Sequence, residues 1–147
     1  MVLSSALPLI ASAKGLAEVL PCLENDMDLV LGVPNEAKVV TIATLWKYSE
    51  SPVVVVVPRE NDVHDYFEQL KIWTATEVNI YPSHSILPYE RKEIDPSISQ
   101  QRLATISKLN QPKIQKSPLI ITSTQSIMSH TLAKVDFQRA YTQISVD

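Results

Sequence analysis

Glycine is scarce, with two residues in 147, and cysteine is scarcer still. Cys22 stands alone, which excludes an internal disulfide and any zinc site built on cysteines. The thiol is left with a buried or idle role. Histidine occurs three times, as His64, His84 and His130, without the local spacing of metal ligands, so surface or structural roles are expected and no metal is. No apolar run approaches the ~18 residues that a membrane span needs. Neither sign of charge dominates: 13 basic and 16 acidic side chains give a net charge of -3. With a pI of about 5.6, no bulk positive field draws nucleic acid to the whole surface. Ser83-His84-Ser85 lacks the G-x-S-x-G elbow that would make a serine a nucleophile.

What is present suffices for one packed domain. Hydrophobic residues make up 45% and charged residues 20%, which excludes global disorder. Met1 to Ala13 is mostly apolar and ends in Ala11-Ser12-Ala13, as a signal peptide might, yet no Lys or Arg precedes the apolar run and Pro8 interrupts it. Leu9, Ala13, Leu16 and Leu20 instead predict an amphipathic helix over about 4–20, ended by Pro21. A cytoplasmic protein is expected.

Helix and strand patterns then alternate. Met27 to Leu31 reads as a strand, and Asn35 to Tyr48 as a buried helix with Asn35 as its N-cap. Val53 to Val57 is five consecutive valines, the pattern of a strand covered on both faces. Asp62 to Trp73 is predicted helical, Val78 to Tyr81 a strand, Pro96 to Leu109 a helix and Leu119 to Thr122 a strand. Ser123 caps a helix running to about Leu132, and Ala140 to Val146 reads as a last strand. Such repeated units predict an α/β fold: a parallel sheet flanked by helices, with ligands beyond the carboxyl ends of the strands.

One of the two glycines sits where a phosphate loop would begin. Gly32-Val33-Pro34-Asn35-Glu36-Ala37-Lys38-Val39 joins the expected first strand to the helix. Against the pattern G-x-x-x-x-G-K-[ST], the first Gly and Lys38 are kept. Ala37 replaces the second Gly, and Val39 offers no hydroxyl to Mg²⁺. Glu36 adds a negative charge where a triphosphate would lie. The expectation is a degenerate nucleotide loop, and Lys38 reads as a solvated lysine at a helix start.

Further along stand Ile86-Leu87-Pro88-Tyr89-Glu90, then Ile94-Asp95-Pro96-Ser97-Ile98, then Gln101-Arg102-Leu103-Ala104-Thr105-Ile106, followed by Leu119-Ile120-Ile121-Thr122-Ser123. This order resembles the N-terminal region of the bacterial transcription-repair coupling factor (Mfd), over about 28–132. The resemblance implies a P-loop NTPase-type, UvrB-like module whose nucleotide site has decayed. The gap between Tyr81 and Pro96 is too short for the long aromatic hairpin with which UvrB clamps DNA. The resemblance also implies three parts: an N-terminal helical segment at 1–26, the UvrB-like subdomain at 27–132, and the start of a following domain at 133–147.

The function so implied is non-catalytic: a scaffold or regulatory part of a nucleotide excision repair factor, supporting recruitment of UvrA. ATP and Mg²⁺ belong to the full-length family protein, an ATP-dependent DNA translocase, and no cofactor is expected here. UvrA and RNA polymerase are the family's partners, with contacts mostly outside this region. Two alternatives stand beside this reading. Lys38 supports a weak nucleotide-dependent ATPase. Arg59, Arg91 and Arg102 support a DNA-backbone contact, with Tyr89 a candidate partner contact. The interleaved Glu60, Glu90, Glu93 and Asp95 favour a salt-bridged surface over a DNA site. Arg102 is expected to pair with Glu90 or Asp95 and so hold the loop before its helix.

Overall fold

A computed structural model describes residues 3–25, 27–75, 77–84, 95–110, 117–140 and 142. Its centre is a parallel sheet of three strands, β1 (Val53–Val57), β2 (Val78–Tyr81) and β3 (Leu119–Ser123), in the order β1-β3-β2. Val53 pairs with Leu119 and Val57 with Ser123 on one side, while Val78 pairs with Leu119 on the other. Parallel neighbours need crossovers, and α4 (Glu60–Trp73) and α5 (Pro96–Asn110) supply them. The central strand β3 is buried at every position.

On one face, Val53, Val55 and Val57 join Leu119, Ile121, Val78 and Ile80 beneath α4 and α3 (Asn35–Tyr48). Val39, Ala43 and Trp46 of α3 and Val63 and Leu70 of α4 complete this core. The Trp46 indole N–H donates to the Ser117 carbonyl at 2.9 Å, which ties α3 to the entry of β3. On the other face α5 lies over β2, and the Thr105 hydroxyl donates to the Ile80 carbonyl at 3.0 Å.

Several expectations require correction. The five valines are covered on one face only: Val54 is 48% and Val56 46% exposed, because β1 is an edge strand and α5 reaches only β2 on that face. Met27 to Leu31 has no regular secondary structure and joins no strand among the described residues, and Val30 is 99% exposed. The N-terminal helix is broken. A 3₁₀ turn at Ser4–Ala6 leads into α1 (Leu7–Ala11), then α2 (Lys14–Val19) and a 3₁₀ segment at Leu20–Glu24. Ala13 between them is extended, with φ -62 and ψ 134. Leu7 and Ala11 carry the burial, while Leu9 faces solvent. No single helix is long and apolar enough to cross a membrane, although the N-terminal pair, bent by 79°, passes that test by length and composition together.

Ser123 does cap the short helix α6 (Thr124–Met128), its oxygen accepting from the Ser126 N–H at 3.1 Å, but that helix stops well before Leu132. Asn35 is the first residue of α3 and not its cap; Pro34 precedes it in extended form. Ala140 ends a helix, α7 (Lys134–Ala140), and most of the expected last strand lies outside the described residues.

Candidate functional site at the carboxyl edge of the sheet

The three strands end side by side, at Val57, Tyr81 and Ser123, and the polar side chains collect there. Glu60 opens α4 directly after β1. Its Oε1 accepts from the Ser83 N–H at 3.1 Å, just past β2. Its Oε2 accepts from the Ser123 hydroxyl at the end of β3, and from the Ser126 hydroxyl at 3.3 Å. The Thr124 hydroxyl donates to the Pro58 carbonyl at 3.0 Å. One carboxylate thus joins the carboxyl ends of all three strands and the start of α6. Sequence reading placed Glu60 among solvated charges; its role depends on strand order, which no local pattern carries.

Arg102, on α5, is only 4% exposed. Its guanidinium donates to the Pro82 carbonyl at 2.7 Å and to the His130 carbonyl at 3.4 Å. It also stacks on the Tyr81 ring, 4.0 Å from the centroid. The expected pairing with Asp95 is not made. Asp95 instead caps α5, its Oδ1 accepting from the Ser97 N–H at 2.9 Å. That N–H holds the Asp95 carboxyl below its usual range. Glu90, the other expected partner, lies outside the described residues, as do Tyr89 and Arg91. Arg102 is therefore a buried brace between the β2 exit and the segment after α6. Arg59, by contrast, is exposed at the start of α4.

His84 follows on the β2 exit. Its Nδ1 is out of solvent and has no hydrogen-bond partner among the described residues. Burial first, and the Arg102 charge second, hold the imidazole below its ordinary pKa. His84, Ser99, Arg102, His130 and Thr131 line a cavity of about 210 Å³ whose remaining walls are aliphatic. A wider, mostly apolar depression of about 490 Å³ lies over the exposed side of the sheet, bounded by Val54, Ile106, Ile120, Ile127 and Leu132 among others.

The phosphate-type loop is arranged differently. Gly32 to Pro34 has no regular secondary structure and leads into α3 at Asn35. Neither glycine has a positive φ, and a Cβ added at Gly32 would meet no atom within 4 Å. The backbone therefore does not use the freedom that a phosphate-wrapping turn draws from glycine. Glu36, Ala37, Lys38 and Val39 form the first turn and a half of α3, where Val39 is buried in the core and Lys38 half-buried. Among the described residues no group of three or more His, Cys, Asp or Glu side chains is placed to hold a metal ion. No protein-family model matches the chain, and no curated protein matches it.

Proposed function

We propose that this chain is a non-catalytic α/β module, the N-terminal UvrB-like part of a transcription-coupled excision-repair factor of the cytoplasm. Its role is that of a scaffold supporting UvrA recruitment. The observation that carries the non-catalytic part is the backbone of Gly32–Val39. Gly32 needs no glycine conformation, Asn35 to Val39 is already helical, and the position that should present a hydroxyl to Mg²⁺ is Val39, buried in the core. The parallel sheet with crossover helices agrees with the architecture of such modules. The repair assignment itself rests on the Leu87-Pro88-Tyr89-Glu90 and Arg102-Leu103-Ala104-Thr105 resemblance.

Calorimetric titration with Mg-ATP tests the reading. The natural chain is expected to bind none, and the double variant Ala37→Gly, Val39→Thr to gain little, since the loop lacks its flanking strand among the described residues. Micromolar, Mg²⁺-dependent binding by the natural chain would replace the scaffold with the nucleotide-responsive reading built on Lys38. A second titration, with purified UvrA, is expected to give weak or no binding, because the family's UvrA contacts lie mostly outside this region.

A further inference from the structure

We propose that the cavity beside Arg102 is a binding site for one compact oxyanion, a phosphate-type group. Arg102 is almost wholly buried, yet both of its hydrogen-bond partners among the described residues are neutral carbonyls, those of Pro82 and His130. No described carboxylate is paired with it. Buried charges in folded proteins are as a rule paired with an opposite charge, and a guanidinium has five N–H donors in a fixed fork, of which these two bonds engage two.

The neighbouring His84 carries a second unanswered group, an Nδ1 out of solvent with no partner among the described residues. Buried polar atoms without partners are rare, and each calls for an explanation. A neutral imidazole with its proton on Nδ1 donates to an anion. Ser99, Thr131 and His130 line the same space and carry side-chain groups able to donate. Donors thus converge from the β2 exit, from α5 and from the segment after α6, and no acid lines the cavity among the described residues. At about 210 Å³ the cavity lies below the ~300–1,000 Å³ typical of sites for drug-sized ligands, which suits a single oxyanion group. The inference uses none of Gly32–Val39 and does not depend on the repair reading.

The test is a nuclear magnetic resonance titration of the full chain at fixed ionic strength, with inorganic phosphate, with sulfate and with chloride. Sulfate keeps its charge across the pH range used and so separates anion binding from titration of the ligand. A short single-stranded oligonucleotide forms a further arm that distinguishes a free ion from a polymer phosphate. Saturable shifts at the Arg102 guanidinium and the His84 ring, with phosphate and sulfate and not with chloride, are expected. His84→Ala is expected to weaken binding about tenfold, the loss of one hydrogen bond to a charged group. His130→Ala, a change at an exposed side chain, is expected to weaken it without unfolding the chain, while His64→Ala leaves it unchanged. Saturation by the oligonucleotide alone supports the site and assigns it to phosphate in a polymer. Linear shifts that chloride reproduces, or binding indifferent to both the His84 and His130 changes, overturn the proposal.

Discussion

Arg102 shows how far a charged side chain can be from a surface role. Its guanidinium joins the β2 exit to the segment after α6 and covers the Tyr81 ring. Arg102→Ala is expected to destabilise the fold by about 2–3 kcal/mol in urea denaturation, since a buried side chain is removed and two part-buried carbonyls lose a charged donor. Arg102→Lys should recover only part of this, because an ammonium cannot reproduce the fork. At His84 the sign follows from the lowered pKa. The folded state holds the ring neutral where the unfolded chain binds a proton, so this contribution to stability is complete above the ordinary value of 6.5. It is lost as pH falls from there toward the folded value. His84→Gln should flatten that slope in stability measured between pH 7 and 5. Gly32→Ala is expected to be neutral or stabilising by about 0.4–1 kcal/mol, since its backbone lies outside the left-handed region and space is open around it. A loss greater than 1 kcal/mol on thermal unfolding would show that the loop wraps more tightly than described.

At the scale of elements, Glu60 does what no single strand can do alone. It accepts from Ser83, Ser123 and Ser126 and thereby joins β2, β3 and α6 to the start of α4. Glu60→Ala is expected to cost about 2–4 kcal/mol, because it leaves several donors without an acceptor. Ser123→Ala removes both the Glu60 contact and the cap of α6 and should cost at least the ~1 kcal/mol of a lost cap. The two faces of β1 predict opposite outcomes. Val57→Ala, in the core, should cost about 1–3 kcal/mol, whereas Val56→Thr, on the exposed face, should stay within about 0.5 kcal/mol. Equal losses at both positions in urea unfolding would mean that the outer face of β1 is covered.

For the molecule as a whole, stability is centred on β3. It pairs on both sides, every residue is buried, and Ser117 at its entry receives the Trp46 bond across a sequence separation of 71. Amide hydrogen exchange should be slowest at Ile120 and Ile121 and fast throughout Met27–Val33, which has no sheet partner among the described residues. Slow exchange at Leu29–Leu31 would restore the strand expected there from sequence. The same distribution explains why the carboxyl edge, where three strands end, gathers the polar network, while the segment before α3 remains open.

Local pattern alone determined the elements with strong periodicity or strong boundaries. Asn35 to Tyr48, Val53 to Val57 between two prolines, Val78 to Tyr81, the helix from Pro96 and the Ser123 cap were all legible, because propensity and turn chemistry act within a few residues. The α/β class with a parallel sheet followed from their alternation. Strand order, and with it burial, was decided only in three dimensions. A run of valines reads the same at a sheet's edge as at its centre, and only the pairing β1-β3-β2 leaves Val54 and Val56 exposed. Met27 to Leu31 has the composition of a strand but finds no strand partner among the described residues. Glu60, His84 and Arg102 looked like separate polar residues because 24 and 18 positions divide them in turn. Only the shared carboxyl edge, where long-range contacts outweigh local preference, gathers Glu60 into a network with Ser83, Ser123 and Ser126, and His84 and Arg102 around one cavity.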